Sequence, residues 1–427
     1  MIRFYNASIM DFQGGCGVRT GEVWTDGGEI VYAGGERPEH NGFEREIDCT
    51  GKLLMPGLKN AHTHSAMTFL RSFADDLPLL DWLNKQVFPR EAKLTGEDCY
   101  WLTKLAVLEY LSGGTTAIFE MYFFPEEVAR AVTECGMRTV FVGGINDYSG
   151  DADAALAGLE QNYTRFNAYH PLVAYRLGFH AEYTTSRPLL EGVAALSAKY
   201  AAPVFTHNSE GKPEVEDCLA RTGLTPTRYL DELGIYEHGG GGYHCVWMSE
   251  EDLEIFRRKK LYVVTNPASN LKLASGIAPL TEFLRRGIPV AIGTDGPASN
   301  NSLDLFKEMF LCTALQKYRD EDAAALPADR VLEMAVINGA YAMGLEQCDG
   351  IYAGAKADLI LIDLMRPNMQ PVHNIAKNLV YAGNRSDVFL TMIDGRILYE
   401  NGEYRIGCSP EEIYRRCAGI ARRLTKD

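Results

Sequence analysis

Leu53-Leu54-Met55-Pro56-Gly57-Leu58-Lys59-Asn60-Ala61-His62-Thr63-His64 is the stretch on which the reading of this chain turns. An apolar run ends in two histidines one residue apart. In a strand, residues i and i+2 face the same side. Both imidazoles then project from one strand end and offer two nitrogens to one metal ion. His-x-His is common by chance, so its weight depends on what other strand ends supply.

Downstream, short apolar runs alternate with helical periodicity. The runs are Thr116–Met121, Thr139–Gly143, Leu172–Tyr175, Pro203–His207, Tyr262–Asn266 and Pro289–Asp295. Helical spacing lies between them, as in Ser186–Lys199 and Glu250–Arg258. With a strand before His62 and one before His244, the count is eight. Alternating βα units in that number predict an α/β chain folded as a (β/α)8 TIM-like barrel over residues 57–348. Residues 1–56 and 349–427 read differently, as short strands separated by turn signals such as Gly14-Gly15, Gly34-Gly35 and Asp394-Gly395. They predict a small β-sandwich domain built from both termini. Pro410 to Leu424 is amphipathic and reads as a closing surface helix.

The chain has 427 residues, of which 46% are hydrophobic and 23% charged, a globular balance that buries a large core. A net charge of −15 argues against nucleic acid or an anionic membrane as partner, since both need a basic face. No apolar run approaches the ~20 residues of a membrane span. The ten cysteines are scattered without a Cys-x-x-Cys, and Met1–Tyr5 lacks the zones of a signal peptide. Reduced thiols in a cytoplasmic protein are the expectation.

In a barrel of this type the active site lies at the C-terminal ends of the strands. The first strand ends in His62 and His64, the fifth in His207 and the eighth in Asp295, and the sixth carries His244. Three imidazoles plus one carboxylate, with room for water, suit zinc or another divalent transition metal. Such an ion lowers the pKa of bound water toward neutrality. Taken singly, His64 or His207 reads as a satisfied core histidine, His244 as a loop hydrogen bonder, and Asp295 as a turn residue or helix cap. Five of the nine histidines fall at predicted strand ends once His180 is counted, and that conjunction favours a metal centre. Glu210 follows His207 by three positions. On a loop above the metal it can move a proton from water to substrate; on spacing alone it is equally a solvated loop carboxylate.

Together these motifs resemble the amidohydrolase superfamily over nearly the whole chain. The matching pieces are Pro56–His64, His207-x-x-Glu210, His244-Cys245-Val246 and Thr294-Asp295-Gly296. The resemblance implies one metal ion held by His62, His64, His207 and Asp295. It also implies Glu210 as proton shuttle and His244 as the group that polarises the attacking water. Members with two metals carry a bridging lysine on strand four, and Tyr175–His180 has none at its end. Within the one-metal branch the chain is most similar to the 5-methylthioadenosine/S-adenosylhomocysteine deaminases. His64–Arg71, Asp75–Leu83, Phe88–Leu94, Asn266–Leu273 and Asp295–Asn301 carry that similarity, in order. It implies that Glu91 grips the ribose hydroxyls, since a carboxylate accepts two hydrogen bonds and donates none. It implies that His180 contacts the nucleoside. Trp82 is either an apolar wall or core.

The expected reaction is hydrolytic deamination of an adenine nucleoside to an inosine-type product plus ammonia, with Glu210, His244 and Asp295 catalytic. The expected cofactor is one divalent ion, Zn2+ first, with Fe2+ or Mn2+ also suited to these ligands. The family implies a homo-oligomer. No glycine-rich phosphate loop occurs, which points to nucleosides rather than nucleotides. Some relatives place arginine just after strand three to hold the amino-acid carboxylate of S-adenosylhomocysteine. Gly143–Tyr148 has none, and the next arginine is Arg165. That tilts the expectation toward adenosine, 5′-deoxyadenosine or 5-methylthioadenosine. Gly211 stands where relatives often have threonine. The run Gly239–Gly242 is unusual, because glycine weakens a strand interior, and reads as a short strand six or a flexible approach to the site. The alternatives are a deaminase or dechlorinase of another N-heterocycle, such as guanine, a pterin or an s-triazine, and a non-catalytic scaffold.

Overall fold

A computed structural model describes residues 1–12, 15–35, 42–73, 75–77, 81–147 and 150–426. Its centre is a ring of eight parallel strands in sequence order. They are β1 Leu58–Thr63, β2 Thr115–Glu120, β3 Arg138–Val142, β4 Val173–Ala181, β5 Val204–Asn208, β6 Gly240–His244, β7 Tyr262–Thr265 and β8 Val290–Ile292. The ring closes without a full ladder: the amides of Thr294 and Asp295 both donate to the His62 carbonyl, at 3.1 and 3.0 Å. Small residues (Ala61, Ala117, Ala291) and large ones (Phe119, Phe205, Tyr243) fill the interior as one buried cluster. The barrel is therefore a packed core with its chemistry at one rim.

Gly240–Gly242 of the glycine run before His244 belong to a fully buried strand. A Cβ on Gly240 would sit 1.9 Å from the Val204 carbonyl oxygen, and one on Gly241 would sit 2.3 Å from that of Tyr262. Gly240 also has φ +124°. Here glycine at 240 and 241 lets β6 seat between β5 and β7, whereas Gly239, at φ +83°, precedes the strand and a Cβ there would meet nothing within 4 Å.

Both termini share one nine-stranded sheet. Lys52–Pro56 is its seam, parallel to Ile2–Asp11 and antiparallel to Leu359–Asp363. Ile2–Asp11 and Gly17–Asp26 each run ten residues, longer than the sequence pattern indicates. A register shift at Asn6, whose φ is +55°, carries the pair past the turn-like break in the pattern. Gly14 of the expected turn lies outside the described residues. The chain leaves the sheet for the barrel at Gly57, where a Cβ would fall 2.0 Å from Thr116 Cγ2. Pro410–Leu424 is the closing helix. It docks on the helix Gly96–Ser112 through Cys417 Sγ, which donates to the Trp101 carbonyl at 3.3 Å. Among the described residues, no helix is long and apolar enough to cross a membrane.

A buried ion pair ties the barrel to the sheet. Arg138 at the start of β3 donates from Nε and Nη2 to Asp358 at 2.6 and 2.9 Å. Asp358 also accepts the Asp394 amide at 2.8 Å. Truncating Arg138 to Ala leaves the Asp358 charge buried and unpaired, and is expected to destabilise the fold by about 3–5 kcal/mol in urea unfolding. A loss below about 1 kcal/mol, the range of an exposed pair, would contradict that reading.

Candidate metal centre and active site

The site is assembled where strands end. His62 lies in β1 and His64 just beyond it, His207 lies in β5, His244 closes β6, and Asp295 follows β8. The backbone here is unusual. Ser209, His244, Cys245 and Asp295 have φ of +52°, +70°, +49° and +59°. Left-handed non-glycine residues are strained by about 1–3 kcal/mol each and persist only where the surroundings hold them. The holding contacts are present. The Cys245 amide donates to the Asn208 carbonyl at 3.1 Å, and Asn300 Nδ2 donates to the Thr294 carbonyl at 2.7 Å. Asn60 bridges β1 to Thr294, accepting its amide at 3.0 Å and donating to its hydroxyl at 2.7 Å.

His62, His207, His244 and Asp295 each offer a ligand atom within 4.8 Å of the others, and all four are buried. His64 joins them, its Nε2 lying 3.2 Å from Asp295 Oδ1. Most of these side chains are anchored from behind. His64 Nδ1 pairs with the Met121 carbonyl at 2.5 Å, and His207 Nδ1 with the His180 carbonyl at 2.6 Å. A carbonyl only accepts, so each Nδ1 carries a proton and each Nε2 is the nitrogen turned to the centre; burial opposes the His64 imidazolium, but Asp295 outweighs it and pushes that pKa up to about 9. His244 Nδ1 pairs with Asn270 Oδ1 at 2.7 Å. Asp295 Oδ2 accepts from Ser269 and Ser299 at 2.6 and 2.8 Å, leaving Oδ1 for the centre.

His62 is different. Its ring is fully buried and stacks on Tyr243 at 3.8 Å, yet neither ring nitrogen has a hydrogen-bond partner. Leaving buried polar atoms unpaired costs about 1–3 kcal/mol each. A cation bound at Nε2, the nitrogen 3.6 Å from Asp295 Oδ1, would satisfy one of the two. Burial pushes the His62 imidazolium pKa down to about 3 and, with the neighbouring imidazoles, holds His207 well below its ordinary value. Both are thus neutral bases, as metal ligands must be. Burial works against the Asp295 anion, but contacts from His62 and His64 outweigh it and keep the carboxyl well below the usual range. This donor set fits a divalent transition metal.

Around this cluster stand the other expected residues. Glu210 Oε2 lies 3.8 Å from His244 Nε2, and burial raises the Glu210 pKa above its ordinary value. His180, in β4, packs its ring 4.8 Å from that of His207 and pairs Nδ1 with the Thr184 hydroxyl at 3.1 Å. Glu91 is buried at the end of the short helix Phe88–Glu91, where it accepts from the Tyr122 hydroxyl at 2.6 Å. Tyr122 in turn lies 6.2 Å from the His64 ring, so Glu91 is tied to the neighbourhood of the cluster. Trp82 is buried in the main hydrophobic core. Pro78–Leu80 and Tyr148 lie outside the described residues. Arg165 donates to Glu126 on the exposed surface at 2.8 and 3.0 Å.

Sequence reasoning assigned no role to Tyr122, Ser269, Asn270, Ser299 or Glu214. Ser269, Asn270 and Ser299 lie inside motifs already singled out, and Tyr122 follows a strand end. Glu214 carried no sequence signal beyond its place in the first turn of the helix Lys212–Thr222.

The amidohydrolase family model matches residues 53–398. The chain belongs to the amidohydrolase family. It is 41% identical over 388 residues, covering 90% of each chain, to a 5-methylthioadenosine/S-adenosylhomocysteine deaminase of Thermoanaerobacter pseudethanolicus. It is 42% identical over 365 residues to a 5′-deoxyadenosine deaminase of Methanothermobacter thermautotrophicus, covering 84% of this chain and 85% of that one. Among solved structures, an adenosine deaminase from Xanthomonas campestris with bound zinc superposes with a TM-score of 0.93 at 31% identity, covering 99% of this chain and 98% of that one.

Proposed function

We propose that this chain hydrolytically deaminates an adenine nucleoside with the help of one divalent metal ion, zinc foremost. The observation that carries the reading is the largely buried Glu210 carboxylate, 3.8 Å from His244, beside a cluster of imidazoles in which neither His62 nitrogen has a hydrogen-bond partner. The names of the relatives and the zinc in the Xanthomonas structure support it. His62, His64, His207 and Asp295 would hold the ion. His244 is assigned to the water, because its Nε2 is the nitrogen that faces Glu210. When bound, the ion supplies a water acidified to near neutrality and Lewis acidity beside C6 of the purine.

The chain's own groups do the rest. Glu210 takes a proton from the water and delivers it to purine N1, which removes aromatic resistance to attack at C6. His244 Nε2 and Asp295 Oδ1 orient the water. The C6–O bond forms, and after a second proton transfer the C6–N bond breaks to release ammonia. Glu91 would take the ribose hydroxyls on Oε2, since Oε1 is already paired with Tyr122. His180 would pack against the nucleoside. Trp82 is assigned to the core, which its burial supports. Gly143 to Asp147 includes no arginine, which favours adenosine, 5′-deoxyadenosine or 5-methylthioadenosine over S-adenosylhomocysteine. We also propose a homo-oligomer in a reducing cytoplasm; the free cysteines support the setting, and light scattering reads the assembly directly.

The test is ammonia release from a panel of these four nucleosides, guanine and an s-triazine, before and after chelation. Turnover of the adenine nucleosides, lost on chelation and restored by zinc, is the expected outcome. Preference for guanine or the triazine would contradict it. Preference for S-adenosylhomocysteine would overturn the arginine argument.

A further inference from the structure

We infer that Glu214 is a positioning residue for Glu210: its carboxylate pins the Ser209–Gly211 backbone so that the Glu210 side chain overhangs the histidine cluster. The inference rests on the proton-carrying role proposed for Glu210. Three successive amides converge on this one carboxylate. Ser209 N donates to Oε1 at 2.9 Å, Glu210 N to Oε2 at 2.8 Å, and Gly211 N to Oε2 at 3.4 Å.

Ordinary helix capping does not account for this. A capping glutamate at the third helical position reaches back to the N-cap amide. Here the N-cap is Gly211, and its bond is the longest of the three. The two shorter bonds go to residues outside the helix. Gly211 brings no side chain of its own to hold the loop. Ser209 sits at φ +52°, a conformation that needs outside support. That support comes from two sides. Glu214 takes the Ser209 amide, while the Ser209 carbonyl accepts the amides of Val246 and Trp247, each at 3.0 Å. Val246 and Trp247 follow His244 by two and three residues. Ser209 therefore ties the loop of Glu210 to the segment that carries His244. All three amides donate to the one carboxyl group, and they hold the residue whose position sets the proton transfer.

The test is a double-mutant cycle with Glu210→Gln, combined with hydrogen exchange of a peptide spanning residues 208–215. Glu214→Ala is expected to lower kcat by about 100-fold through misplacement of the carboxyl. KM should stay within about threefold, the split expected of an interaction used only at the reacting centre. Bound metal should be unchanged. In the Glu210→Gln background the same change should cost less than about twofold, because the group it positions is already disabled. Exchange of the peptide should quicken in Glu214→Ala. If Glu214→Ala does not fold, Glu214→Gln, which turns an NH2 toward an amide donor, should show a smaller loss with the same non-additivity. Independent, multiplying effects on kcat would overturn the inference, as would unchanged exchange. A wild-type chain inactive on every adenine nucleoside would sink the proposed function instead, and the exchange comparison would still decide the role of Glu214.

Discussion

Replacing Glu210 by Gln is expected to lower kcat on adenosine by about 10³-fold, the scale of a positioned acid–base group. Bound metal should remain near one ion per chain, because Glu210 is not among the residues proposed to hold it. The size of the effect follows from the geometry. Glu210 is the carboxylate found facing His244 Nε2, and burial already shifts its proton affinity upward. Glutamine keeps the volume and polarity but neither takes nor gives a proton. A loss of less than about tenfold would show that proton transfer to N1 runs through another group.

Glu91→Ala is expected to reduce kcat/KM for adenine nucleosides by about 10³-fold, since two hydrogen bonds to a buried charge are lost together. The wild-type chain should discriminate strongly against 2′-deoxyadenosine, and the variant should not. Burial raises the Glu91 pKa, opposed by the Tyr122 hydroxyl, which donates to Oε1. A vicinal diol would offer donors to Oε2, the oxygen that Tyr122 does not engage. Unaltered nucleoside turnover in Glu91→Ala, measured by steady-state kinetics, would shift the reading toward a free-base heterocycle.

The metal-type cluster was legible because its members sit where apolar runs stop, and a parallel barrel puts those stops at one rim. His62, His64, His207, His244 and Asp295 needed only the count of strands. Boundaries were less legible. The run Pro289–Asp295 reads as one strand, but β8 stops at Ile292. Beyond it the Gly293 amide still donates to the Thr265 carbonyl at 2.9 Å, and the chain turns at Asp295, whose φ is +59°. The glycine run in β6 was opaque for a related reason: what excludes a side chain is the backbone of strands distant in sequence. Glu214 was opaque because its partners are backbone amides presented by a positive φ at Ser209, which no residue type announces. The terminal sheet was foreseen as a composite of both ends, but its seam at Lys52–Pro56 depends on pairing across most of the chain.

The central claim is that water adds at C6 of an adenine nucleoside and ammonia leaves. Running one turnover of adenosine in H2¹⁸O and weighing the purine product by mass spectrometry tests it most directly. The account predicts an inosine product with one ¹⁸O at C6 and one equivalent of ammonia. Free adenine, or an inosine without the label, would contradict it.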